Sequence, residues 1–257
     1  YRYIGEICEV RQINICKKQD KSLLIGVCHK RIGMEEILDF LDLLMRNNNR
    51  EWFWEHKSEY DAIQQKFNVF TEELIKAVGA FDASIANLKV KDCTYRIYKD
   101  LRFSKDKIPY KTHMGAYLCP HGKKSGFAGY YFHLEPAEAE YIGRNLLAAG
   151  LYNPTPAFLR EARKRIAENG GEFIEALEKS PHLTLEENAK LSRVPNGYPQ
   201  NHPMAEYLKL KDYSITMTLS PELLFGNRLV QNVAEYFREA MPFNHYLNSI
   251  GEELLFY

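Results

Sequence analysis

Apolar positions recur at steps of three and four in the early and late parts of the chain, and at steps of two between them. Ile37, Leu38, Leu41, Leu44 and Met45 share one side of a helix surrounded by acidic residues, and the run Asn47-Asn48-Asn49 stops it. Asparagine is also a good N-cap, so a helical hairpin is predicted, with Glu51 in the first turn of the second helix. Trp52 and Phe53 anchor its beginning, and Trp54 reads with Trp52 as a packing residue rather than a ligand platform. Tyr60, Ile63, Phe67, Phe70, Leu74 and Val78 extend the helical period to Gly79.

From Cys93 to about Ala148 the period becomes two. Tyr95 and Ile97 alternate with Arg96 and Tyr98; Met114, Ala116 and Leu118 with Gly115, Tyr117 and Cys119; Ala128, Tyr130, Phe132 and Leu134 with Gly129, Tyr131 and His133. The glycine-rich connection from Pro120 to Gly126 is too short for a crossover helix, so these are antiparallel strands, and Tyr141 to Leu147 is a candidate for a further one. Thr155-Pro156 opens a helix that ends at Gly170-Gly171, with a short helix after it. The Pro-, Asn- and Gly-rich stretch from Ser180 to Pro203 reads as a loop, Tyr213 to Leu219 as a strand, and Ser220-Pro221 as a helix start. One or two amphipathic helices close the chain. The predicted fold class is α+β, an antiparallel sheet packed against helices from the N- and C-terminal parts of the chain.

Residues 1 to 33 hold three of the five cysteines and no sustained period, so the expectation is an N-terminal extension followed by a single domain over residues 34 to 257, with a short docked strand as the alternative for the extension. Lys plus Arg and Asp plus Glu are both 34, which disfavours a generally basic nucleic-acid coat protein but leaves a local patch open. Charges interrupt every apolar window long enough for a membrane helix, and Arg2, Glu6 and Glu9 break any export-type run in the first ten residues. An odd cysteine count without Cys-x-x-Cys fits reduced thiols, and a soluble cytoplasmic protein is expected.

Local charge changes this picture. Between Arg96 and Lys111 six basic residues (Arg96, Lys99, Arg102, Lys105, Lys107 and Lys111) face only Asp100 and Asp106, and Tyr98, Phe103 and Tyr110 are interleaved with them. Such an excess in a neutral chain attracts a phosphate, a carboxylate or a nucleic-acid backbone, and interleaved rings suit stacking. The plainer reading is a solvated, salt-bridged hairpin. His113, Cys119, His121 and His133 lack zinc-type spacing, so no metal is expected, and no cofactor signature, P-loop or Gly-x-Ser-x-Gly occurs.

The strings Asn47 to Phe53, Arg96 to Lys107, Pro109 to His113 and Gly129 to Pro136, with Gly197-Tyr198, His202-Pro203 and Leu208 to Lys211, resemble the domain-of-unknown-function family 2461 from Met34 to about the C-terminus. Pro199-Gln200-Asn201 stands where that family suggests acidic residues. The resemblance implies a fold and the location of a site, with no activity to transfer.

Strand parity adds a physical expectation: if Tyr95 and Ile97 face the core, as do Tyr130 and Phe132, then Arg96, Tyr131 and His133 emerge together on the other face. The candidate site therefore pairs Tyr131 and His133 as catalytic groups with Arg96, Arg102, Ser104, Lys105, Lys107, Tyr110 and Lys111 as ligand contacts. The function expected is binding, with or without turnover, of a small anionic or phosphorylated molecule. The alternative is a nucleic-acid or protein interaction module using the same basic hairpin without catalysis. In a third account Arg96 is neutralised by Asp100, Asp106 or Glu135 and merely holds the hairpin.

Overall fold

The structure is a computed structural model that describes residues 33–102, 107–187 and 189–255. The expected extension over residues 1 to 33 therefore lies almost wholly outside the described residues. Helix α1 (Met34–Arg46) buries Met34, Ile37, Phe40, Leu41 and Leu44, the stripe that the three-and-four spacing predicts. Each residue of the asparagine run has a separate task. The Asn47 N–H closes α1 onto the carbonyls of Leu43 and Leu44, and the Asn49 side chain caps α2 (Arg50–Glu55) by accepting from the Trp52 N–H. Between them, Asn48 holds both backbone groups of Tyr110: its Nδ2 donates to the Tyr110 carbonyl at 3.0 Å, and its Oδ1 accepts from the Tyr110 N–H at 3.1 Å. Phe53 is fully buried against the Tyr110 ring, whereas Trp54 is 64% exposed and anchors nothing.

Helix α3 (Lys57–Gly79) follows after a break at His56. A short turn of helix, α4 (Val90–Cys93), leads to the strands β1 (Met114–Leu118), β2 (Gly129–Leu134) and β3 (Leu146–Leu151). The remaining elements are α5 (Pro156–Glu168), α6 (Gly170–Glu178), β4 (Thr184–Leu185), α7 (Ala205–Leu208), β5 (Tyr213–Thr218), α8 (Pro221–Leu224) and α9 (Leu229–Leu255). Thr155 and Ser220 each accept an N–H at the start of the helix they precede, with proline in its first turn, as their sequences predict. The strands form one antiparallel sheet in the order β1-β2-β3-β5-β4, and the fold is α+β.

Three expectations need correction. Residues 95 to 98 form no strand: Thr94 and Tyr98 make isolated bridges to Ala116 and Tyr110, and Tyr95 is 42% exposed while Ile97 is buried. The third strand starts at Leu146, because residues 135 to 145 are held as a loop around the Glu135 carboxylate. The loop expected from Ser180 to Pro203 contains β4, which pairs with β5.

Helices cover one face of the sheet. Phe132 packs on Phe70 with ring centroids 4.5 Å apart, Tyr130 on Phe237 at 5.2 Å, and Tyr213 on Phe173 at 5.9 Å. Truncating a ring as buried as Phe132 costs about 3–5 kcal/mol. Because strand residues alternate, Gly115, Tyr117, Tyr131, His133 and Ala148 are left for the opposite face.

Candidate functional site

Register brings the opposite face together. Tyr117 pairs with Tyr131 and Gly115 with His133 across β1 and β2. Gly115 is required here, because a Cβ would stand 2.5 Å from the Tyr131 hydroxyl oxygen; the ring lies over the space that a side chain would fill. Tyr117 donates its hydroxyl hydrogen to the carbonyls of Phe127 and Gly150, at 2.8 and 3.0 Å, so it ties strands together and its oxygen is not aimed at a ligand.

Tyr131 and His133, both expected on this face, are in contact: the hydroxyl oxygen lies 2.9 Å from His133 Nδ1. The same parity carries one step further. Glu135, two residues on and completely buried, places Oε2 3.1 Å from His133 Nε2. Its Oε1 accepts from the backbone N–H groups of Ile142, Gly143 and Arg144, a nest of three donors that leaves no place for a proton on that oxygen. Burial holds the His133 imidazole well below its ordinary value, at about 4, so it is neutral near pH 7. Glu135 Oε2 faces Nε2, and the tautomer that suits this contact carries its proton on Nε2 and accepts from Tyr131 at Nδ1. The Nε2 to Oε2 approach is close but off the line of a good hydrogen bond, and neither atom has another partner among the described residues.

His113 lies above this chain, its ring centroid 5.2 Å from that of His133, and it stacks on Tyr141 at 4.2 Å and 11°. Burial, then His133 and Lys111, push its pKa down to about 4. Lys111 leads outward. Its Nζ donates to the Arg96 carbonyl at 3.0 Å and sits 5.6 Å from the centre of the Tyr95 ring, and Lys123 reaches the same ring at 5.8 Å. Burial and the Arg96 guanidinium lower the Lys111 pKa. Among the described residues no carboxylate pairs with Arg96, Lys111 or Lys123. Tyr95 and Tyr141 both lie close enough to Tyr131 to raise its pKa further, after burial.

The expected ligand contacts therefore divide. Arg96 is exposed, and it joins the histidines through Lys111 rather than from a shared strand face. Arg102 forms a two-pronged pair with Asp100, which holds that carboxyl down at about 2, so its charge is compensated. Tyr110 is buried against Phe53 and belongs to the core. Lys107 is exposed, and Ser104 and Lys105 lie outside the described residues. The pairing of Arg96 with Glu135 is not found, since Glu135 faces His133 and the nest. Sequence reading passed over Glu135 as a site residue although the i, i+2 spacing of Tyr131, His133 and Glu135 signals it; it set His113 aside as a false metal ligand and placed Tyr95 in the core.

Proton logic decides what the chain can do. Tyr131 starts from an ordinary value of 10.0 and is pushed up by burial, while His133 sits at about 4. Burial thus opposes ionisation of both groups, and the phenolic proton stays on the Tyr131 oxygen. At rest Tyr131 and His133 act as neutral hydrogen-bonding partners and not as an ionised nucleophile. Among the described residues no set of three or more His, Cys, Asp or Glu is arranged to hold a metal ion. A hollow of about 330 Å³ lies beside Glu135 among Leu38, Asp39, Asp42 and Phe225, but its acidic lining does not suit an anion.

A five-stranded antiparallel sheet with helices on one face and a buried Tyr-His-Glu chain on the other defines an α+β protein with a polar site beneath a cationic rim. Residues 36–246 match the family described as conserved hypothetical protein DUF2461, and the chain belongs to that family. No curated protein and no solved structure matches the chain. Among the described residues no helix is long and apolar enough to cross a membrane.

Proposed function

We propose that the protein binds a small anionic molecule at the rim formed by Arg96, Lys111 and Lys123 around Tyr95, above His113 and Tyr131. One observation carries this reading: Lys111 and Lys123 each approach the half-exposed Tyr95 ring, Arg96 lies close enough to Lys111 to lower its pKa, and among the described residues no carboxylate forms an ion pair with either lysine. Arg96 and Lys111 repel one another, and an anion relieves the repulsion. Tyr131, oriented by His133, lies near Tyr95, and its oxygen keeps lone pairs that suit a ligand carrying a hydroxyl or a protonated oxygen. Binding is better supported than turnover because burial keeps Tyr131 and His133 in their uncharged forms. A nucleic-acid groove would use a longer row of cations, and Arg102 is already committed to Asp100.

Titration calorimetry with inorganic phosphate tests the reading. Wild type binds, and Arg96→Ala and Lys111→Met each weaken binding about tenfold, as loss of a charge-assisted contact predicts. Circular dichroism checks that each variant is folded. Phosphate heats that are unchanged in both folded variants, or that vary only with ionic strength, overturn it.

A further inference from the structure

The cationic rim continues into an aromatic surface. Tyr141 is 65% exposed although one face of its ring is stacked on His113, so its other face is open. Ile142, next in the chain, is also exposed, and so is Tyr152, at 80%; burial raises the Tyr141 phenol, and Tyr152 lies close enough to add to the effect. His113, which backs Tyr141, is two residues from Lys111, whose Nζ sits over the Tyr95 ring. Exposed rings grouped in this way mark a binding surface more often than chance, and a backed ring with one free face is a stacking platform.

We propose that the anion bound at this rim carries a planar base, that is, a nucleoside phosphate whose phosphate pairs with Lys111, two residues from His113, and whose base stacks on the open face of Tyr141. The proposal rests on the anion-binding reading and specifies its ligand class. The rim supplies the charge complement, and His113 behind Tyr141 fixes the plane of the platform, so little ordering of the ring is needed on binding. Ile142 and Tyr152 would shield the edges of the base from water.

Calorimetry with inorganic phosphate, ribose 5-phosphate and adenosine 5′-monophosphate separates the two claims. The nucleotide is expected to bind about tenfold tighter than ribose 5-phosphate, in line with stacking on one ring. Tyr141→Ala removes that advantage and leaves ribose 5-phosphate binding unchanged, while Tyr141→Phe retains it. If ribose 5-phosphate and the nucleotide bind equally, the stacking proposal fails and the anion site survives. If Tyr141→Ala weakens all three ligands alike, the ring only supports His113 and the proposal again fails. Failure of all three ligands to bind overturns both claims. An oligothymidylate whose affinity rises steadily with length overturns the single-nucleotide site in favour of a strand-binding groove.

Discussion

Tyr130 and Tyr131 are neighbours on β2 and point to opposite faces of the sheet, and burial raises the pKa of both phenols. Tyr130 enters the helical side, where its hydroxyl donates to Asp82 Oδ2 at 2.8 Å, and Ser84 occupies Oδ1 through both its N–H and its hydroxyl. That carboxylate is satisfied on both oxygens, although the buried Asn244 side chain near Tyr130 has no hydrogen-bond partner among the described residues. Tyr131 enters the other side, where the chain of partners ends at a misaligned His133 to Glu135 approach and Lys111 and Lys123 have no ion-paired carboxylate among the described residues. A carboxylate answered on both oxygens holds structure, whereas a chain left partly satisfied near positive charge is the arrangement that the proposed anion site requires. Two side chains of one type, a residue apart, are thus separated in role by how completely their surroundings answer them.

The sharpest way to break this comparison is pH. His133 titrates at about 4 in the folded protein, against 6.5 for an unperturbed imidazole, and His113 behaves similarly. Between those values the unfolded chain binds more protons than the folded one. Stability is therefore complete above about pH 6.5, falls as pH drops toward 4, and levels off below that. For His133 alone the loss amounts to about 3 kcal/mol. The groups facing it are Tyr131, Glu135, His113 and Tyr141. Urea unfolding of wild type and His133→Gln across this range should give profiles that converge at low pH. Parallel profiles would show that His133 is not buried in its neutral form. The Tyr130 side, with no histidine in its first contacts except the half-exposed His245 3.8 Å from Asp82, should add no such step.

Next in size is the loop that Glu135 organises. Glu135→Ala removes the acceptor of three N–H groups and the neighbour of His133. The donors come from exposed residues that water can reach, so the cost is about 2 kcal/mol rather than the sum of three buried losses. Hydrogen exchange should speed up at residues 142–144 while Ser84 stays protected. Unchanged exchange there would mean that the nest does not depend on the carboxylate.

How far the sequence foretold these two regions follows from which forces are local. The helical stripe of α1, the asparagine and Thr155 caps, and the β1 to β2 hairpin are short-range consequences of periodicity and capping chemistry, and each can be read from a dozen residues. The parity that pairs Tyr131 with His133 is equally local. The third strand was displaced because Leu146, Leu147, Ala148 and Ala149 do not alternate, so nothing in the run marks where the Glu135 loop ends. Tyr95 was misplaced because an isolated bridge at Thr94 does not carry strand parity onward. The open platform of Tyr141 on His113 joins segments 28 residues apart, and such a contact depends on the folded loop rather than on spacing.

The finest distinction is a pair of matched deletions, each removing one oxygen. Tyr130→Phe leaves Asp82 Oδ2 buried with no donor except a distant His245, and should cost about 1–2 kcal/mol while leaving phosphate binding intact. Tyr131→Phe leaves His133 Nδ1 without its donor, but a neutral imidazole carries less charge to desolvate than a carboxylate, so the cost should be about 1 kcal/mol or less. Its ring still covers Gly115, so packing is kept. Binding of inorganic phosphate, measured at a pH where the ligand carries a proton for the tyrosine oxygen to accept, should weaken in this variant only. Equal unfolding costs with equal phosphate affinities would mean that the two faces treat their tyrosines alike, and the open face would then hold structure rather than a ligand.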